Sequence, residues 1–209
     1  AAVLNYLLLL GWAPEGEQEI FSLDEMIKIW DPARISKSPA IFDPLKLRAI
    51  NAAYIRALPA EEFRKLADPF IDQAVHVQID RDLLCANLQP RCEVLEDIPP
   101  QLDFFDAVLP IDAEMYRNKK QKTTPESAKE ALSALLPVLE AQTDWSRDAI
   151  FEACKQKAEA MEKKNGWLLF PLGIALSGKA RTPGGGTDLA AMMGKEETLR
   201  RLNAAIEAL

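Results

Sequence analysis

One histidine, His76, is all that 209 residues contain. A zinc site of the usual kind is thereby nearly excluded, and a histidine-based catalytic triad has a single candidate member. A surface or half-buried side chain between helices is the simpler reading of His76. Cysteine is scarce too. Cys85, Cys92 and Cys154 have neither metal-ligand spacing nor an even number for disulfide pairing, so a reduced, cytoplasmic protein is expected. The longest apolar run, "AAVLNYLLLLGW", is broken by Asn5 and falls well short of the roughly 20 residues that a membrane span needs. It lacks the basic start and small-residue cleavage site of a signal peptide. No methionine opens the chain, which begins inside an apolar helical pattern, so a piece of a longer protein is expected. Alternating strand patterns, low-complexity tracts and internal repeats are also missing.

Apolar residues make up 48%, enough for a substantial core. The net charge of −7 by itself disfavours a nucleic-acid partner, but the charge is unevenly spread. Residues 1–114 hold 10 Lys+Arg and 20 Asp+Glu, a balance of −10, whereas residues 115–209 hold 15 and 12, a balance of +3. Such asymmetry permits a basic face for a polyanion. Helix punctuation runs the whole length. Gly11 reads as a C-cap, Ser22 and Glu25 as a capping box, Asp43-Pro44 as an N-cap with proline at the first position, and Thr124-Pro125 likewise. "IPPQ" at 98–101 reads as a boundary or tight link. "WLLFPLGIALSG" reads as a buried helix stopped by Gly178, and Gly194 splits the last two helices. About ten helices and almost no strand predict an all-α fold in two or three packed modules.

Two stretches invite a phosphate. In "RISKS" a lysine flanked by serines offers charge and donors. However, no glycine lies within twenty residues of Lys37 and Pro39 follows, so a solvated loop is the simpler reading. "TPGGGTDL" puts three glycines before a helix start, like an anion-binding nest. It lacks the Gly-Lys-Ser/Thr ending of a P-loop and has no strand before it. Carboxylate pairs such as Glu61/Glu62 and Glu96/Asp97 read as helix surface. The run Arg117, Lys119, Lys120 and Lys122 is either solvated surface or an RNA-backbone contact. Phe104, Phe105, Trp145 and Phe151 fit a core.

Several blocks, in order, resemble bacterial glutamyl-tRNA synthetases. They are "AVLNYLLLLGWAPEGEQEIFSLDEMIKIWD", "RISKSPAIFDPLKLRAINAAYI" and "LFPLGIALSGKARTPGGGTDLAAMMGKEETLRRL", and together they span almost the whole chain. The resemblance places Ser36-Lys37-Ser38 downstream of the family's ATP loop, in a module that contacts the tRNA stem. It implies a stem-contact part over 1–58, followed by a helical anticodon-binding domain in two subdomains, 59–104 and 105–209. It implies no catalytic residue and no metal in this chain. ATP and Mg²⁺ would belong to a catalytic domain elsewhere in the parent enzyme, and this chain alone would be inactive. The expected partner is glutamate tRNA, with glutamine tRNA left open. DNA and membranes are not expected, and the chain is expected to be a monomer.

The resemblance also assigns roles. An arginine after a proline reads the first anticodon base in members that reject glutamine tRNA, and "LQPRCEVLEDIP" gives that role to Arg91. Thr182, Pro183 and Gly184 match the loop that contacts later bases. Gly173 stands where the family often has arginine, which removes one base-reading donor. Lys179 and Arg181 are nearby cations that can compensate. From their charge alone, Lys37, Arg117, Lys119, Lys120, Lys179 and Arg181 are the candidates for contacts to the RNA backbone. Two rival functions remain: a helical protein-interaction scaffold, and a small enzyme using "RISKS" as a nucleotide loop.

Overall fold

The computed structural model describes residues 1–36 and 40–209. Side-chain caps start the helices at the places where the sequence offers them. Ser22 Oγ accepts from Glu25 N while Glu25 Oε2 accepts from Ser22 N at 2.6 Å, opening α2 (Leu23–Ile29). Asp43 Oδ1 accepts from Leu45 N and Lys46 N, opening α3 (Pro44–Ala57). Asp80 caps α5 (Arg81–Leu88), Thr124 caps α6 (Pro125–Ala141) and Ser146 caps α7 (Arg147–Ala160). Each satisfies amides that the first turn leaves without partners. The others are α1 (Ala2–Gly11), α4 (Ala60–Ile71), α8 (Asn165–Ser177), α9 (Gly186–Met193) and α10 (Lys195–Ala208). Among the described residues there is no strand, only two isolated bridges. The fold is all-α, and no described helix is long and apolar enough to cross a membrane.

Two apolar clusters form. The smaller joins Ala2 and Tyr6 of α1 to Ile50 of α3. Asn5, fully buried, fastens the following loop. Its Nδ2 donates to Glu19 O at 2.7 Å, and its Oδ1 accepts from Phe21 N at 2.8 Å. The larger cluster runs from Ile55 to Ala205. Its axis is α8, whose Leu168, Leu172 and Leu176 have no exposed surface. A helix apolar on nearly all sides belongs inside, and α6, α7, α9 and α10 pack around this one.

One punctuation mark falls differently from expectation, and one chooses between two readings. Gly11 is the last residue of α1 and not its cap; Trp12 caps in an extended conformation, its buried indole donating to Asp31 O at 2.9 Å. "IPPQ" takes the second of its two readings, a tight link. Pro99–Gln101 is a 3₁₀ turn between Ile98 and Leu102, both fully buried in the larger core. The apolar residues flanking the prolines explain this: their burial outweighs the boundary signal. Gly178, by contrast, does cap α8 in the left-handed region with φ 68°. A Cβ there would also lie 2.6 Å from Leu109 O, so glycine is required twice over.

Candidate nucleic-acid interface

Arg91 is delivered by local chemistry. Pro90 has no N–H to extend the hydrogen-bond ladder of α5, and Gln89–Arg91 tightens into a 3₁₀ turn. Gln89 anchors that turn, its Nε2 donating to Ile55 O at 3.0 Å and Leu58 O at 2.8 Å. On the other side Cys92 is buried. The chain is therefore held on both sides of Arg91, whose own side chain is exposed.

The opposite wall is the loop from α8 to α9. Thr182 Oγ1 donates to Gly184 O at 2.6 Å, and Asp188 Oδ2 accepts from Gly185 N at 2.7 Å, which closes the turn. Asp188 is fixed in turn by Arg147 Nε at 3.0 Å. The floor is the crossing of α8 and α9, where two backbones meet at Gly173 and Gly186. A Cβ on Gly186 would lie 2.8 Å from Leu169 O and 3.0 Å from Gly173 N.

These parts enclose an open cavity of about 410 Å³. Arg91 stands on one side, and Lys179, Arg181, Thr182 and Gly184 on the other. Gly173 and the half-buried Phe170 form its floor, and no carboxylate lines it. Among the described residues, Arg56, Arg91 and Arg181 are the arginines whose guanidinium makes no hydrogen bond, ion pair or ring contact. Two of those three therefore face one cavity. A guanidinium left unmatched by the protein is available to an acceptor from outside.

The remaining sequence candidates divide. Pro183 is buried within the loop and does not line the cavity. Lys179 lines it, but its ammonium pairs with Asp103 and donates to Pro100 O at 2.8 Å. It ties the 3₁₀ turn at 99–101 to the cavity wall. Arg117 is held by Glu114 through bonds of 2.6 and 2.9 Å. Lys119 and Lys120 sit on an exposed turn outside the cavity. Lys37 lies outside the described residues. Phe170 was missed by sequence reading; its place three residues before Gly173 on one helix face was the available signal. His76 is exposed, its Nδ1 2.5 Å from Asp106 Oδ2, and does not border the cavity. Burial pushes the thiols of Cys85 and Cys92 up to about 11 and that of Cys154 up to about 12, so none is a reactive thiolate. No group of three or more His, Cys, Asp or Glu among the described residues is arranged for a metal ion.

A family model described as "Anticodon binding domain" matches residues 51–206, which include every residue of the cavity. The chain belongs to the anticodon binding domain family. Among its relatives, the glutamate–tRNA ligase of Clostridium botulinum is 44% identical over 208 residues, covering all of this chain and 43% of the relative. That of Clostridium acetobutylicum is 44% identical over 209 residues with the same coverage. A crystal structure of a glutamate tRNA ligase from Elizabethkingia meningosepticum superposes on the whole chain with a TM-score of 0.82 at 28% identity, using 41% of that chain. The chain thus spans less than half the length of the curated relatives it matches. Within this anticodon binding domain, the two unmatched arginines and the aromatic floor meet at the crossing of α8 and α9.

Proposed function

We propose that this chain recognises the anticodon of glutamate tRNA on behalf of a glutamate–tRNA ligase. The observation that carries the reading is the cavity in which Arg91, Arg181 and Phe170 converge. Sequence-specific RNA recognition relies on unstacked bases splayed out, stacked on aromatic or guanidinium planes and hydrogen-bonded at their edges. Arg91 reads the first anticodon base with its planar fork of donors. Arg181, with Thr182, Pro183 and Gly184 of its loop, meets the later bases, and Phe170 offers a ring to stack on. Gly173 contributes no donor, so Arg181 takes the part of the arginine that relatives often have there. Lys179 shapes the wall and does not contact phosphate, because Asp103 already matches its charge.

The same proposal divides the chain into a stem-contact part (1–58) and two anticodon-binding subdomains (59–104 and 105–209). Ligation of glutamate with ATP and Mg²⁺ is assigned to a catalytic part outside these 209 residues, acting in the cytoplasm, with the chain a monomer. Glutamine tRNA is the competitor that Arg91 is there to reject.

A titration at one fixed salt concentration tests this, using glutamate tRNA, glutamine tRNA and glutamate tRNA with its first anticodon base changed. The changed base is expected to weaken binding about tenfold or more, on the scale of roughly 1–3 kcal/mol per wrong base at directly read positions. Arg181→Ala is expected to weaken all three complexes. Equal binding of the three RNAs would contradict base reading, and binding of none would favour a protein-interaction scaffold.

A further inference from the structure

α8 is buried on most of its surface, but one stripe is not. Asn165 and Gly166, Leu169 and Phe170, and Gly173, successive steps of three to four residues, are its partly exposed face. Leu169, Phe170 and Gly173 floor the cavity. At the other end of the stripe the tight turn 118–123 is seated on the first turn of α8: a Cβ on Gly166 would fall 1.8 Å from Gln121 Oε1. That turn carries Lys119, Lys120 and Lys122, all exposed, and the loop just before α8 adds Lys163 and Lys164, also exposed. Lys163 rests over the Trp167 ring at 4.9 Å. The other four make no ion pair or side-chain hydrogen bond among the described residues. Lys28, Lys65, Lys129 and Lys157 are likewise without an ion pair among the described residues; what sets this group apart is that five lysines gather at one end of the stripe that floors the cavity. Glu162 is the one acidic residue in the loop 161–164. From Gly166 to Gly173 the helix advances only about 10 Å at roughly 1.5 Å per residue.

We infer that this stripe is a strand track. The anticodon base enters the cavity at Phe170 and Gly173, and the phosphodiester backbone beside it runs along α8 to the lysines of the 118–123 turn. The partner is the flanking nucleotides of the same RNA, held by charge and without sequence preference. This inference rests on the anticodon reading above. Its physical content is division of labour: phosphate contacts set position, and base contacts set specificity. Lysines on one short turn suit the first task, since each is a mobile point charge.

The test is the salt dependence of binding of the intact chain to glutamate tRNA. Each phosphate contact steepens the slope of log K against log[salt] by about 0.7–0.9. The triple variant K119Q/K120Q/K122Q is expected to flatten the slope by about one to two and to weaken binding at low salt, with the ratio between the original and base-changed RNA preserved. The control variant K65Q/K155Q/K157Q removes the same charge from α4 and α7, away from the turn and from the stem-contact part, and is expected to leave the slope alone. Thermal unfolding checks that both variants fold, as expected for side chains outside the core. An unchanged slope in the first variant, or an equal change in the control, would overturn the track. If the parent chain shows no base discrimination but the slope still responds to K119Q/K120Q/K122Q, the track stands and the anticodon reading falls.

Discussion

Replacing Arg201 with methionine is expected to lower stability by about 3–5 kcal/mol, the usual loss when one partner of a buried charge network is removed. Arg201 is 1% exposed. Its Nη1 donates to Phe104 O at 2.7 Å and Leu176 O at 2.6 Å, its Nη2 to Phe105 O at 2.7 Å, and its Nε to Glu197 at 2.5 Å. Methionine fills much of the volume but leaves three carbonyls without a donor. For a chain of this size the melting temperature should fall by roughly 10 °C. Arg200→Ala is the control. Arg200 binds the same Glu197 from the surface, and its loss should cost less than about 1 kcal/mol. Acid gives a second readout. Hydrogen bonds from Arg200, then from Arg201, hold the Glu197 carboxyl down at about 2, against an ordinary value of 4.5. A depressed carboxylate pKa contributes stability above the unfolded value, and that contribution is lost as pH falls from about 4.5 toward 2. Part of this acid-labile stability should vanish in Arg201→Met. Thermal unfolding from pH 7 to pH 2 measures both effects. A variant as stable as the parent would show that the clamp is dispensable.

Gly186→Ala is expected to be costly and Gly173→Ala harmless, although both are small-to-larger changes at the same helix crossing. At Gly186 the added methyl meets backbone, 2.8 Å from Leu169 O and 3.0 Å from Gly173 N, so α8 and α9 must separate. Overpacking of this kind costs about 1–3 kcal/mol. It also displaces the loop that carries Arg181 and Thr182, so RNA affinity should fall by more than stability alone explains. At Gly173 the nearest atoms to a Cβ are 3.7 and 3.8 Å away, ordinary contact distances. Inside a helix, alanine is favoured over glycine by up to about 1 kcal/mol, so Gly173→Ala should be neutral or slightly stabilising. Denaturant midpoints decide between them. Equal effects at the two positions would contradict the described crossing.

The helical class and most helix starts were legible because caps and prolines are local signals. Ser22 with Glu25, Asp43 with Pro44 and Thr124 with Pro125 act within four residues of each other. The apolar run of α8 announced a buried helix for the same reason. What local pattern cannot show is which charges find partners across the fold. Arg91 and Arg181 stand 90 positions apart yet face one cavity, and Lys179 is spent on Asp103, 76 positions away. Arg201 looks like any surface residue of an amphipathic helix, yet it is among the largest fully buried side chains of the described residues. The pairing of Arg117 with Glu114, three residues earlier, was by contrast legible from local spacing. "IPPQ" left two readings open because proline marks turns without telling whether the turn is buried.

The most direct test of base reading by Arg91 is a double-mutant cycle between its side chain and the first anticodon base. Affinities are measured at one salt concentration for the parent chain and Arg91→Ala, each with glutamate tRNA and with the RNA changed at that base. The parent is expected to prefer the original RNA about tenfold or more, roughly 1.4 kcal/mol, and Arg91→Ala to bind both RNAs alike. Undiminished preference in Arg91→Ala would contradict base reading by Arg91, because the base would then be read by another group.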